Sequence, residues 1–407
     1  MVVVPRSLLT GALAPYASGF AQELVLQGYT VNGARQHLDF VAHLNRWMGA
    51  EAVNVGGLNG PVVERFLALR RTSGYVRYRS VMAMVPLVRY LTPLGVLPPA
   101  DTPVSGPVEE LLEAYCRYLV LERGVTRKTA DGYRYSVGPF VAGRVRGGGL
   151  DLAGLTSGDV TRFVLGACRG RAVGSAKLIV TALRSLLNWL HVSGVVPVSL
   201  AGAVPAVAGW RLSGLPKGLE PDQLRRLLGS CDRRRATGRR DYAIVLMLAR
   251  LGVRAGEVAA LGLDDIDWRA GEIVVRGKGD RVERLPLPAD VGAAIAGYLK
   301  RGRPATAQGR SVFVRVRAPH DAVTSQVVTT VVFEAGRRAG LGTIRAHRLR
   351  HTAATAMLRA GTPLPEVGQV LRHRSTHTTA LYAKVDRGAL QVLARPWPSA
   401  TNPGGAS

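Results

Sequence analysis

What most constrains this chain is a repeated pattern that cuts its first half into short helices. Leu58, Val63 and Phe66 fall 97 residues before Leu155, Val160 and Phe163, and Leu87, Tyr90, Leu91, Gly95 and Pro98 fall 99 before Leu186, Trp189, Leu190, Gly194 and Pro197. A near-constant offset that carries apolar, Gly and Pro positions together marks duplication of one supersecondary unit. Within the units the apolar period is helical: Leu183, Leu186, Leu187 and Leu190 form an i, i+3, i+4, i+7 stripe. The runs end at "LGV" or "SGV", where Gly takes the left-handed position after a helix.

Pro- and Gly-rich stretches at 97–107 and 203–218 divide the chain. Residues 1–100 read as a helical domain duplicating a second at 108–202, with a linker at 203–218 and a further domain at 219–395. In that last domain the pattern changes. "EPDQLRRLLGSC" and "DYAIVLMLARLG" read as helices, the second closed by Gly252. "EIVVRGKGDRVERLPLP" (Glu272–Pro288) holds two β-rich runs around Gly277, Gly279 and Asp280 and reads as a hairpin. Helices are expected again from Thr324 to about Leu393, and the tail at 396–407 is too polar and Gly/Pro-rich to fold. The class is mainly α with a small β-hairpin or sheet, that is, α+β.

Charge narrows the partners. There are 54 Lys and Arg against 28 Asp and Glu, a net charge of +26, and a field of that sign gathers polyanions, nucleic acid first. Cys116, Cys168 and Cys231 are odd in number and far apart, which argues against a disulfide framework and a Cys-based zinc site. The chain has no run of about 18 apolar residues. Its opening apolar stretch is broken by Pro5, Ser7, Thr10 and Gly11, so a soluble cytoplasmic protein without membrane partners is expected.

The densest chemistry is "HRLRHTAATAML", with His347, Arg348, Arg350 and His351 inside five residues. On a helix, positions 347, 350 and 351 share one charged face, while Leu349, Ala353, Ala356 and Ala360 line another. His347/His351 and His373/His377 are i, i+4 pairs, but flanking arginines would repel a divalent cation and no HExxH glutamate is present. The same crowd suits a phosphate, which Arg binds through paired donors. Arg254 sits between Gly252 and a new helix, where free N–H groups add to its guanidinium. Lys278 lies at the hairpin tip, and His373 precedes Tyr382 by nine residues.

In order, Arg254, Lys278, His347, Arg350, His373 and Tyr382 resemble the catalytic set of the tyrosine recombinase (phage integrase) family. The surrounding wording matches too: "LGVRAGEVAALGLDDIDW", "VRGKGDRVERLPLP", "HRLRHTAATAML" and "VLRHRSTHTTALYAKV". The resemblance covers about Leu215 to Leu393, and less specifically extends to Val108–Leu200 as the family's helical, SAM-like core-binding domain. It implies a site-specific DNA recombinase, an integrase or transposase-like enzyme, acting on duplex DNA through a 3′-phosphotyrosine without metal, ATP or other cofactor. Tyr382 would be the nucleophile, Arg254 and Arg350 the phosphate clamp, His373 a further donor, Lys278 the general acid and His347 a general base or proton-positioning group. Implied partners are a homo-oligomer, a tetramer on paired sites, and accessory or sister recombinases. The segment after Tyr382, with Leu390, Leu393 and Trp397, would dock on a neighbouring subunit.

Two departures stand out: Arg348 where the family usually has Asp, and Arg372 where it commonly has Gly. The front 100 residues also read as helical, where the family's arm-binding domain is often a small β structure. A chromosome-dimer-resolving recombinase of the same family and a catalytically silent DNA-binding accessory protein are the alternatives. A two-metal nuclease needs convergent carboxylates, and Asp264, Asp265 and Asp267 read instead as the turn into the hairpin.

Overall fold

The computed structural model describes residues 4–8, 10–97, 106–208, 218–277 and 282–372. Lys278, His373, Tyr382, most of the expected linker and the segment with Leu390, Leu393 and Trp397 therefore lie outside the described residues. The described elements are mainly helical with small antiparallel sheets. The chain divides into two compact units, Pro99–Ser213 and the combination of Met1–Pro98 with Gly214–Ser407.

Four helices form the front of the larger unit: α1 (Ala17–Leu26), α2 (Val31–Ala50), α3 (Gly60–Thr72) and α4 (Val85–Leu91). The smaller unit holds α5 (Pro107–Leu121), α6 (Arg127–Ala142), α7 (Ser157–Cys168) and α8 (Val173–Val192). The paired sequence positions do the same work in both. Leu58, Val63 and Phe66 are buried before and within α3, as are Leu155 and Val160 before and within α7. Leu87 and Leu91 of α4 match buried Leu186 and Leu190 of α8, and Gly95 and Gly194 both take positive φ beyond their helices. Thr30 caps α2 by accepting from the Gly33 amide, and Thr126 occupies the N-cap of α6. Each set packs its own apolar core. The sequence reading of the smaller unit as wholly helical misses one feature: Gly147 and Gly148, both at positive φ, turn β1 (Val145–Arg146) into β2 (Gly149–Leu150).

The C-terminal part of the larger unit is built around one helix. α9 (Pro221–Gly229) leads into α10 (Ala236–Leu251), which buries every residue from Ala243 to Ala249. A helix apolar all round must be enclosed, and α10 is packed by α12 (Ala289–Arg301), α13 (Ser325–Arg338) and α14 (Ala346–Arg359). After α10 comes the short α11 (Ala255–Ala260), then a three-stranded antiparallel sheet of β3 (Ile266–Asp267), β4 (Glu272–Arg276) and β5 (Val282–Pro286). The expected hairpin is thus the outer two-thirds of a sheet, because Ile266 pairs with Ile273 to add β3. Alternation aims Ile273 and Val275 of β4 into the core. The last described helix is α15 (Leu364–Val370), whose Val367, with the following Leu371, joins Ala354 of α14 in a small apolar cluster.

Gly252 closes α10 in the left-handed region, at φ 59°, and no side chain fits there: a Cβ would lie 2.5 Å from Leu371 Cδ2. Gly252→Ala is expected to lower unfolding stability by about 1–3 kcal/mol, from the cost of an L-residue in that conformation plus the clash. Urea unfolding followed by tryptophan fluorescence reads this, and an unchanged midpoint would show that the helix end can rearrange.

Candidate active site

Three of the six expected residues are described, and the fold brings them together. Arg254 follows the left-handed turn after α10 and occupies the N-cap of α11. Its guanidinium is fixed on one side: Nη1 donates to Glu257 Oε1 at 2.7 Å and Nη2 donates to the Arg372 carbonyl at 3.2 Å. The Arg254 amide donates to the other Glu257 oxygen at 2.8 Å. With 41% of its side chain exposed, Arg254 still offers donors outward, whereas Glu257 is 3% exposed.

Arg350 reaches the same place from α14 and is 2% exposed. The shared charged face expected of positions 347, 350 and 351 needs correction here. Arg350 turns inward and donates from Nη1 to the Gly252 carbonyl at 2.6 Å and from Nη2 to the Leu371 carbonyl. A buried charge is tolerable when hydrogen-bonded in this way. The expected apolar stripe is also only half right. Leu349 and Ala353 are buried with Ala354, but Ala356 and Ala360 are exposed, because α14 packs through its first half.

His347 lies one turn before Arg350, its ring 4.5 Å from that of His351 in an edge-to-face arrangement. It keeps an exposed edge, yet the packed chain beneath it, then the Arg350 and Arg254 charges, hold its pKa below the usual imidazole value. Burial, then His347 and Arg350, push His351 down to about 4. Both rings therefore favour the neutral form near pH 7. Arg254, His347 and Arg350 line a cavity of about 340 Å³ with Ala255, Thr329 and Arg345.

Sequence reasoning missed two of these groups. Arg345 adds a fourth basic side chain from the N-cap of α14, and its signal was its place two residues before His347. Glu257 is the buried countercharge, and its signal was a Glu three residues after an N-cap. Arg348, which is not among the six, leaves the cavity and reaches the Gly218 carbonyl at 3.5 Å. Thr352 of the same helix accepts from the Leu219 amide at 2.8 Å, so this side of α14 secures the segment before α9.

The carboxylates expected in the turn are dispersed there. Asp264 pairs with Arg310, Asp265 takes Arg276 and the Gly262 amide, and Asp267 accepts from the amides of Arg269 and Ala270. Among the described residues no group of three or more His, Cys, Asp or Glu is arranged to hold a metal. No described helix is long and apolar enough to cross a membrane.

Comparison with known proteins gives the class. The phage integrase family model matches residues 217–388. The curated relative named "Putative integrase/recombinase y4rA" from Sinorhizobium fredii is 40% identical over 404 residues, covering 95% of this chain and 95% of its own. The XerD tyrosine recombinase of Mycobacterium tuberculosis is 31% identical over 301 residues, covering 69% of this chain and 95% of its own. Among solved structures, XerH bound to palindromic difH in a post-cleavage complex aligns with TM-score 0.55 at 19% identity, over 81% of this chain and 93% of that one. A lambda integrase tetramer bound to a Holliday junction aligns with TM-score 0.54 at 16% identity, over 80% and 90%. These two likenesses establish the fold. The chain belongs to the phage integrase family, and it is a tyrosine recombinase.

The depressed histidine pKa values have a consequence for stability. Unfolding releases His351 and His347 to an ordinary pKa near 6.5, so the unfolded chain binds more protons between that value and the folded ones, near 4 for His351. Stability present above pH 6.5 is therefore expected to fall as pH drops toward 4. His351→Asn should flatten that part of the curve of melting temperature against pH; an equally steep curve in the variant would assign the loss to other groups.

Proposed function

We propose that this tyrosine recombinase is a site-specific DNA recombinase, integrase- or transposase-like, which cleaves and rejoins duplex DNA through a covalent 3′-phosphotyrosine. The single observation that carries the proposal is the cavity shared by Arg254, His347 and Arg350, basic on several sides and backed by the buried carboxylate of Glu257. A phosphodiester gains negative charge in its pentacoordinate transition state, and donors already fixed in place stabilise it without reorganising.

Tyr382 Oη attacks phosphorus as its proton passes to His347, kept neutral by its surroundings and so able to accept. A P–O bond to Tyr382 forms and the bond to the 5′-oxygen breaks, and that oxygen takes its proton from Lys278. Arg254 and Arg350 hold the non-bridging oxygens, with His373 as a further donor. Their charge also lowers the cost of a phenolate whose ordinary pKa is about 10. Because the phosphotyrosine conserves the bond energy, a 5′-hydroxyl from a second strand reverses the step without ATP or a metal.

The net charge of +26 supports duplex DNA as the substrate, with affinity falling steeply as salt rises. The solved lambda integrase tetramer on a Holliday junction supports a homo-oligomer on paired sites. XerD covers 69% of this chain and y4rA covers 95%, so the extra unit accords better with the integrase/recombinase relative than with a minimal resolvase. That extra front unit is proposed as a duplicate of the core-binding domain, and the place of action as the cytoplasm.

Incubating the protein with nicked duplexes made from the DNA that flanks its gene, then adding SDS, tests the chemistry. Wild type should give an SDS-stable protein–DNA complex. Tyr382→Phe should abolish it while DNA binding persists, and Arg254→Ala should slow it by about 10²–10³-fold, the scale of losing one transition-state donor. A complex that survives Tyr382→Phe would mean that another residue is the nucleophile.

A further inference from the structure

Arg372 is a substitution that ought to be penalised twice. It takes φ 55°, the left-handed region where glycine is free and an L-residue is strained. Its side chain is 6% exposed, so a long flexible cation has been ordered and taken out of water. Two of its guanidinium nitrogens, Nε and Nη1, are buried without a hydrogen-bond partner. Solubility does not explain a buried side chain, and backbone geometry favours glycine.

What Arg372 does make is a short contact with the group behind Arg254. Its Nη2 donates to Glu257 Oε2 at 2.7 Å, the same oxygen that accepts from the Arg254 amide at 2.8 Å. The other Glu257 oxygen takes Arg254 Nη1 at 2.7 Å, and the Arg372 carbonyl takes Arg254 Nη2 at 3.2 Å. Glu257 is thus shared by two arginines, and residue 372 reaches Arg254 directly through its carbonyl and indirectly through its side chain on Glu257. Glu283 of β5 stands 3.8 Å from Arg372 Nε, a second and looser carboxylate.

The geometry matters because Arg372 adds a side-chain donor to the Glu257 oxygen that the Arg254 amide alone would otherwise hold. With Arg372 opposite, one Glu257 oxygen is committed to the backbone side and the other to Arg254 Nη1, which leaves the remaining edge of that guanidinium aimed at the cavity. A second cation also offsets the negative charge of Glu257, so that less of the field of Arg254 is cancelled where a phosphate would bind.

We propose that Arg372 is a positioning residue for phosphoryl transfer, orienting Arg254 through Glu257 so that its free edge meets the non-bridging oxygens of the scissile phosphate. This rests on the cleavage reading given above, and the strain at residue 372 is the cost of that orientation.

The test compares wild type, Arg372→Gly, Arg372→Lys, Glu257→Gln and the Arg372→Gly/Glu257→Gln double variant, as full-length proteins, in single-turnover cleavage of a nicked duplex from the flanking DNA. Glycine suits φ 55°, so Arg372→Gly should fold and melt at or above the wild-type temperature. It should cleave about 10- to 100-fold more slowly, the scale of a misplaced catalytic group, with DNA affinity within about twofold. Arg372→Lys, which keeps the charge but not the fork, should recover part of the rate. In the Glu257→Gln background the added Arg372→Gly change should cost little, because the path to Arg254 is already broken.

A substrate with a neutral methylphosphonate at the scissile position supplies the readout that simple destabilisation would not move. It has one fewer anionic oxygen for Arg254 to hold, so the deficit of Arg372→Gly should shrink there to within about threefold. Wild-type rates for Arg372→Gly on the ordinary phosphodiester would overturn the proposal, as would additive losses in the double variant. Rescue by a 5′-bridging sulfur, which leaves without a proton, and not by the methylphosphonate would also overturn it, since the effect would then run through Lys278. If wild type itself forms no covalent complex, the cleavage reading falls, and this proposal with it.

Discussion

Everything around the cavity depends on where the Arg350 guanidinium finds its acceptors. The carbonyls of Gly252 and Leu371 both stand at helix ends, after α10 and after α15, where backbone oxygens have no partner within the helix. One buried cation from α14 satisfies both. The remote α10 and the consecutive α14 and α15 are thereby tied at one point, and the charge is fixed there by acceptors that cannot rotate away. Gly252 makes this possible, because a side chain at that turn would collide with Leu371.

That fixed charge adds to what burial already does to the two neighbouring histidines. Arg254, Arg345 and Arg350 around one cavity would repel one another in the absence of an anion. Two devices limit the repulsion without neutralising the site. Glu257 lies behind Arg254, away from the cavity, and the two imidazoles of α14 are held toward their neutral forms. The remaining positive field faces a space of about 340 Å³, with its donors held before any substrate arrives. Arg348 shows the contrast. It belongs to the same cluster in sequence, but it points away and serves the anchoring of α14 on the segment at Gly218 and Leu219.

Much of the fold was legible because its signals are local. The all-apolar run in α10 had to be a core helix, the β-rich runs around Gly277 had to be a hairpin, and of the repeated positions Leu58/Leu155, Val63/Val160, Leu87/Leu186 and Leu91/Leu190 are buried in pairs. The errors came where partners are remote. β3 exists because two residues pair with β4, too short a strand to show a period. Ala356 and Ala360 fit an apolar stripe, but both are exposed, and it is Met357 and Leu358 that pack toward α15 at that end of α14. The β1–β2 turn is written in Gly147 and Gly148, a local signal that the helical period of the surrounding domain masks.

The sequence by itself determined the chemistry of the site: which residues carry charge, their order, the family they resemble, and that the natural partner is a polyanion. Those properties are intrinsic to side chains and their spacing. Only the tertiary structure decided the direction of each charge. Arg350 is buried, Arg254 is half presented, Arg348 is diverted, and Arg372 stands behind Glu257 in a conformation that glycine would take without strain. A guanidinium goes where acceptors compensate its lost water, and those acceptors are helix-end carbonyls and a buried carboxylate that come together only after the chain has folded.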